Sequence, residues 1–443
     1  MAKTPTGGLM TSFDKLNDLL NTIAPDGEMM DINPIAKIDE WIPTGWYLLN
    51  AAFSGSIFGG LPNRRSVAFA GDEGTGKTFL AMSIVRNAQM MGYTPIYCDS
   101  EGSIDIDFAT KLGVDPSKVR LQLVNTIEEM NHLMAQIVSS FEETIAKKKT
   151  PPKVMLVLDS LGNLTSTKER DDSISGDQKR DMTKQQAIRK MFRVNGVKFA
   201  KLGIPFIVTN HVYDAMSMFT SKEISGGMGL KYNASIIFVL GKGKIDDKTE
   251  TAKEGKKELK KKGLDEKTKV GITVYVKPYK SRFARPIPIK ILIPFYKKPN
   301  PYVGLEQFLN WEDFGVIRGK VVSPADYEKL SDADKKKCYD NFDMEIEHKE
   351  GRGAKAVFTK EKVKGYVLPS DSSKTLVVRH LGGEVPIQEL FTDKVFTDEL
   401  LKDLDEKAIK PTFTLPDIHS LEDLAEIEKE LFDDKEIEED GED

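Results

Sequence analysis

Residues 71–78 read Gly71-Asp72-Glu73-Gly74-Thr75-Gly76-Lys77-Thr78, and no other stretch restricts the possible folds of this chain so much. They lie between a short apolar run, 66–70, and a stretch of helical periodicity, 77–92. Glycines let the backbone turn its N–H groups inward around one point, and the spacing G-x-x-x-x-G-K-[ST] is that of a loop cradling a phosphate chain. The helix that starts there offers the positive end of its dipole to the same anion. Lys77 would reach the β- and γ-phosphates, and the Thr78 hydroxyl would ligate Mg²⁺. The expected nucleotide contacts are therefore Gly71, Asp72, Glu73, Gly74, Thr75, Gly76, Lys77, Thr78 and Phe79, with ATP and Mg²⁺ as the implied ligands. The alternative is a chance glycine-rich turn.

The surroundings alternate strands and helices. Strands are expected at 66–70, 94–98, 119–124, 153–159 and 205–209. Helices are expected at 77–92, 105–112, 127–147 and 183–202. Such alternation implies right-handed crossovers and a mostly parallel α/β sheet covered on both faces. After position 235 the texture changes. Two strands flank the highly charged stretch 243–269, which reads as a hairpin with a long mobile insertion. Another strand is expected at 286–294, the start of a small helical domain beyond 301, and a mixed α/β region over 321–416. Residues 12–23 place Phe13, Leu16, Leu19, Leu20 and Ile23 on one helical stripe, which could dock on an adjacent subunit or cover the chain's own core.

Charge is distributed unevenly. Residues 421–443 hold thirteen acidic residues against two lysines, so the tail carries −11 and the remaining body +6 of a chain whose net charge is −5. A mildly basic body with an acidic tail suits a nucleic-acid binder that carries its own competitor, or simply a solubilised one. Removing 421–443 is expected to raise affinity for duplex DNA, most clearly at low salt. Two widely separated cysteines, Cys98 and Cys338, and five histidines fit a reducing cytoplasm and leave little material for a zinc site. No secretory signal or apolar span is visible, so a cytoplasmic location without a membrane partner is expected.

Asp159 ends the apolar run 154–159. A carboxylate there, in a chain with such a phosphate loop, would hold the hydration shell of Mg²⁺ beside Ser160. A turn aspartate is the plain alternative. Glu101 follows the strand 95–98, where it could deprotonate or orient the water attacking a γ-phosphate; otherwise it is an exposed loop glutamate.

At 99–115, DSEGSIDIDFATKLGVD, the sequence resembles the RecA family residue by residue. The lead-in Ile42-Pro43-Thr44-Gly45 and the downstream runs 205–211 and 225–232 resemble it too, so the likeness covers about 40–294. The histidine at 211 and Lys280-Ser281-Arg282-Phe283 look most like the UvsX-type branch of T-even phages. The resemblance implies a RecA-like P-loop ATPase core over 41–300. It would be flanked by an N-terminal arm and linker (1–40), a small C-terminal α/β domain (301–416) and an acidic tail (417–443). It implies that Glu101 is the catalytic base, and that Asp105 hydrogen-bonds adenine while Phe108 stacks on it. The bacterial proteins have tyrosine where Phe108 stands; stacking needs only a ring face. Lys280 and Arg282 match paired cations that reach a neighbouring subunit's γ-phosphate, with Arg285 close enough to compete for the role. His211, at the end of the sensor strand, would touch the γ-phosphate and pull on the loop behind it. Its imidazole gives a reason for hydrolysis to depend on pH near neutrality.

Two stretches, 161–184 and 212–229, read as loops at strand ends, and the resemblance turns both toward single-stranded DNA. Lys168, Arg170, Lys179, Arg180 and Lys222 could meet phosphates, and Gly226 and Gly227 could present backbone N–H groups. Met216, Met218 and Phe219 could wedge between bases without reading sequence. The implied activity is DNA-dependent hydrolysis of ATP by a helical homo-oligomer that pairs and exchanges homologous strands. Single-stranded and duplex DNA, a single-strand binding protein and a loading mediator would be its partners. A ring helicase with the same core and a non-catalytic recombination mediator are the rival readings.

Overall fold

The computed structural model describes residues 36–175, 183–214, 222–224, 227–246, 249–261, 263, 268–296, 298–350 and 357–415. The helical stripe 12–23 and the acidic tail lie outside them.

The strands Trp41–Ile42 (β1) and Leu61–Pro62 (β2) pair antiparallel on either side of the helix Tyr47–Ser54 (α1). Ser66–Gly71 (β3) then enters the main sheet and turns into Lys77–Met90 (α2). Thr94–Asp99 (β4), Ile106–Lys111 (α3), Arg120–Leu123 (β5), Ile127–Ala146 (α4) and Val154–Asp159 (β6) continue the alternation. Thr167–Ser175 (α5), Lys184–Leu202 (α6) and Phe206–Asn210 (β7) complete the parallel part. Next come the short pair Val212–Asp214 (β8) and Lys222–Ile224 (β9), then Gly227–Asn233 (α7) and Ile236–Gly243 (β10). Glu250–Lys261 (α8), Gly271–Lys280 (β11) and Ile289–Pro294 (β12) follow.

The eight-stranded sheet runs β12-β11-β10-β3-β7-β6-β4-β5. From β10 to β5 all neighbours are parallel, while β11 and β12 are antiparallel. Strands buried on both faces must be apolar at every position, and alternate residues divide between two cores. On β3, Val67 and Phe69 join Trp46, Phe53 and Phe238 under α1 and α2, whereas Ala68 faces Met130, Phe192 and Phe206 under α4 and α6. Local caps set the helix starts. Thr126 and Glu129 form a reciprocal capping box at α4, and α6 stops at Gly203, whose φ is 75°.

The structure changes three sequence expectations. Residues 161–184 are not one loop: they contain α5. The charged stretch after β10 is not simply a mobile insertion, because it holds α8. Ala252 and Leu259, seven positions apart, recur on one face of that helix and are fully buried there. The region beyond 301 does not begin a helical domain. It forms 3₁₀ turns at Leu305–Gln307 and Trp311–Phe314, then the strand Val316–Val322 (β13). β13 is the centre of an antiparallel sheet with Tyr339–Glu350 (β14), Val357–Pro369 (β15), Thr375–Val378 (β16) and Gly383–Pro386 (β17), in the order β14-β15-β13-β16-β17. The final helical segments, Asp398–Leu404 (α9) and Lys410–Phe413 (α10), pack into the same apolar cluster as α1, with Leu404 and Phe413 fully buried.

Candidate nucleotide and DNA site

The carboxyl ends of β3, β4, β6 and β7 lie side by side, the place where open α/β sheets hold ligands. At β3 the chain turns through Gly74 (φ 68°) and Gly76 (φ 91°), left-handed conformations that favour glycine. A Cβ would also crowd the loop at Gly71 and Gly76. A Cβ on Gly71 would stand 2.7 Å from the Leu240 carbonyl, and one on Gly76 would stand 2.8 Å from Ile293. Lys77 is buried and donates to the carbonyls of Gly71 and Asp72, both at 2.9 Å. Burial lowers its pKa, against the opposing pull of Asp159, Glu101, Asp72 and Glu73. A Lys242 ammonium also touches the loop, donating to the Glu73 carbonyl at 2.7 Å. The sequence pattern did not single out Lys242, since only the return of β10 alongside β3 brings it there.

Asp159, 3% exposed, accepts from Thr78 Oγ1 at 2.8 Å and Tyr97 OH at 2.6 Å on Oδ2, and from Thr209 on Oδ1. The expected metal pair, Thr78 and Asp159, is thus brought together. Burial, followed by the neighbouring Asp159 charge, raises the Tyr97 phenol well above its ordinary pKa.

Glu101 sits on a turn built by Asp99, whose buried carboxylate accepts from the backbone N–H groups of Glu101 (2.8 Å), Gly102 (2.9 Å) and Ile104 (3.1 Å). Ser160 Oγ donates to Glu101 Oε1 at 2.8 Å, and His211 Nε2 lies 3.2 Å from the same oxygen. Ser100 and Ser160 hydrogen-bond each other across the strand ends, closing the cluster. His211 therefore faces the candidate base, a pairing the sequence reading did not anticipate.

A cavity of about 530 Å³ lies beside α2, lined by Phe79, Phe108, Ile293, Phe295 and Tyr296 among others. It unites two aromatic residues expected from sequence with two supplied by the chain just after β12. Asp105 is not part of its lining; its carboxylate caps α3 by accepting from Phe108 N at 3.1 Å.

Lys280 ends the antiparallel β11, and Arg282 follows it. Lys280 pairs with Ile237, itself level with Ala68, so this end of the hairpin lies three strand positions, roughly 10 Å, from Gly71 and toward the opposite edge. Lys280 Nζ donates to the carbonyls of Lys231 (2.8 Å) and Tyr232 (3.1 Å) at the end of α7. Its pKa is lowered by burial and by Arg282. Arg285 is held by the C-terminal segment: its N–H donates to Phe413 O and its guanidinium to Pro411 O.

Of the expected DNA contacts, Lys168 and Arg170 lie on α5, where Arg170 pairs with Asp171 (3.1 Å) and Glu129 (3.8 Å). Lys222 lies in β9, its backbone opposite Asp214, and Gly227 opens α7. Lys179, Arg180, Met216, Met218, Phe219 and Gly226 fall outside the described residues.

A parallel sheet with a P-loop, a hydroxyl–carboxylate pair beside it and a positioned glutamate defines a nucleotide-binding protein of RecA-like fold. The family model of the RecA N-terminal domain matches residues 23–286, and the chain belongs to that family. It is 31% identical over 203 residues to the "Recombination and repair protein" of Enterobacteria phage T4, covering 45% of this chain and 50% of that protein. It is 32% identical over 203 residues to Protein RecA of Paenarthrobacter aurescens, covering 44% of this chain and 53% of that one. Protein RecA of Bifidobacterium breve is 31% identical over 209 residues, 46% of this chain and 48% of the relative. The chain thus spans about half the length of these curated relatives. Among the described residues no helix is long and apolar enough to cross a membrane.

Proposed function

We propose that the chain is a DNA-dependent ATPase that forms a helical filament on single-stranded DNA and drives homologous pairing and strand exchange. The observation that carries this reading is the cluster above the phosphate loop. Glu101, Ser160 and His211 meet at one carboxylate oxygen, beside a Thr78–Asp159 pair. Family membership supports the recombinase over other P-loop machines.

In this reading the 71–78 loop binds the triphosphate through its backbone N–H groups, and Lys77 turns from the loop carbonyls to the phosphates. Thr78 and Asp159 would hold Mg²⁺, for which a hydroxyl and a buried carboxylate are a fitting oxygen donor set. The ion would neutralise charge on the phosphate oxygens. Glu101 takes the proton of the attacking water, while Ser160 and His211 fix the direction of its carboxylate. Phe79, Phe108, Phe295 and Tyr296 surround the base. Lys280 and Arg282 act on the ATP of the next subunit, which would make hydrolysis depend on polymerisation. Their position away from the chain's own loop supports an action in trans. The stretches around α5 and between β7 and α7 hold single-stranded DNA, and His211 links the second of them to the base.

Residues 1–40 would serve as the oligomerisation arm, 41–300 as the ATPase core, 301–416 as an accessory domain and 417–443 as a restraint on duplex binding. Duplex DNA, a single-strand binding protein and a loading mediator are the expected partners, in the cytoplasm of a bacterial host.

The test is ATP hydrolysis with and without single-stranded DNA at two salt concentrations, followed by electron microscopy of the assembly. Strong stimulation that fades with salt, on open filaments, is expected. Equal turnover without DNA, or closed rings only, would refute the recombinase.

A further inference from the structure

Asp159 is held more completely than contact with a metal shell requires. Its carboxylate accepts three hydroxyls from three elements: Thr78 on α2, Tyr97 on β4 and Thr209 on β7. Thr78 is the hydroxyl that would turn to the metal. Tyr97 and Thr209 cannot, because both are fully buried and approach the carboxylate from within the sheet. They also divide the carboxylate between them, Tyr97 on Oδ2 and Thr209 on Oδ1. An aspartate carboxylate rotates about its last torsion in a broad, two-fold well. With a fixed donor on each oxygen, it cannot rotate without breaking a charge-assisted hydrogen bond.

We propose that Tyr97 and Thr209 are positioning residues that lock the Asp159 carboxylate in its metal-binding orientation and thereby set the Mg²⁺ requirement of the site. This rests on the reading of the phosphate loop as a Mg²⁺–ATP site. Removing the Thr209 hydroxyl leaves Oδ1 without a donor, and removing the Tyr97 hydroxyl leaves Oδ2 only Thr78, which itself turns to the metal. The metal must then order that carboxylate when it binds. The half-saturating Mg²⁺ concentration rises by about ten- to a hundredfold, the scale set by one hydrogen bond to a charged group. At saturating Mg²⁺ the nucleotide affinity returns to that of the unaltered protein. Thr209 lies two residues before His211, so one strand anchors both the metal carboxylate and the group facing the base.

The experiment uses the full chain and a fluorescent, non-hydrolysable ATP analogue, with binding titrated against Mg²⁺ so that no turnover is involved. Tyr97→Phe, Thr209→Val and Thr209→Ser are compared with the unaltered protein. The expected result is a rightward shift for Tyr97→Phe and Thr209→Val. Thr209→Ser, which restores the hydroxyl, should stay near the parent curve. A purely structural defect would lower analogue binding equally at every Mg²⁺ concentration, and that result overturns the proposal. So does an unshifted or leftward-shifted curve, the latter meaning that these donors only compete with the metal's water shell. If Tyr97→Phe fails to fold, the valine and serine variants decide alone. An unaltered protein that binds the analogue without regard to Mg²⁺ would instead remove the Mg²⁺–ATP reading beneath the proposal.

Discussion

Replacing Glu101 by glutamine isolates the proton-accepting role from the architecture around it. Ser160 and His211 both converge on Oε1, and among the described residues no side chain hydrogen-bonds Oε2. Oε2 is therefore the oxygen available to a water. Glutamine can keep the Ser160 contact through its carbonyl oxygen, but its amide nitrogen then occupies the Oε2 position. A donor stands where an acceptor is needed, and the amide cannot take a proton. General-base catalysis of this kind is worth roughly 10²- to 10⁴-fold, so kcat should fall by that factor, or about 3–5 kcal/mol of barrier. Binding should change little, because no hydrogen bond links Glu101 to the phosphate loop. The Asp99 turn that presents the side chain uses backbone groups and survives the substitution. The assay is single-turnover ATP hydrolysis on saturating single-stranded DNA, with nucleotide affinity measured separately. Glu101→Asp, which draws the carboxylate back by one methylene, should fall between the two. A Glu101→Gln protein that hydrolyses ATP within about threefold of the parent rate would refute the assignment, since such a residue supplies under 1 kcal/mol of barrier.

Further outcomes follow from other contacts. Arg282→Ala should abolish DNA-stimulated hydrolysis while nucleotide still binds; it is the cleaner test of action in trans than Lys280→Ala, which also uncaps α7. Normal stimulated turnover would exclude that role. Phe108→Ala should weaken nucleotide binding by about 1–3 kcal/mol if its ring stacks on the base, measured by equilibrium titration. Unchanged affinity would remove the cavity beside α2 from the site. Asp405 is 2% exposed and accepts from Ser56 Oγ at 2.6 Å and Ile57 N at 2.8 Å, tying the C-terminal segment to the turn after α1. Asp405→Ala should therefore cost about 2–4 kcal/mol in denaturant unfolding, with a loss under about 0.5 kcal/mol contradicting the inferred anchor.

The sequence alone determined the parallel core and its phosphate loop, because both are written in local, short-range signals. The glycines of 71–78 allow the left-handed turns a phosphate loop needs, and apolar runs such as 154–159 can be satisfied only by burial on both faces. The pairing of Thr78 with Asp159 and the prominence of Glu101 were legible for the same reason. Each stands at a strand end or helix start fixed by its own neighbours. What the sequence could not show is which distant side chains meet. Tyr97 and Thr209 read as ordinary apolar-strand positions until parallel register sets β4, β6 and β7 beside one another and turns both hydroxyls onto Asp159. Nothing in the sequence shows that the adjacent strand ends bring His211 to within 3.2 Å of Glu101. Asp105, expected from sequence as a base contact, also caps α3 through one carboxylate oxygen, a role its position before that helix signalled locally. The charged stretch holding α8 misled for the opposite reason. Its lysines and acids mask a narrow apolar face that becomes meaningful only once the chain folds back and sets Val270, just ahead of β11, against Gly255. Chain-local chemistry determined the elements and the loop. Tertiary structure decided the hydrogen-bond partners, because contacts between residues far apart in sequence depend on strand order and register.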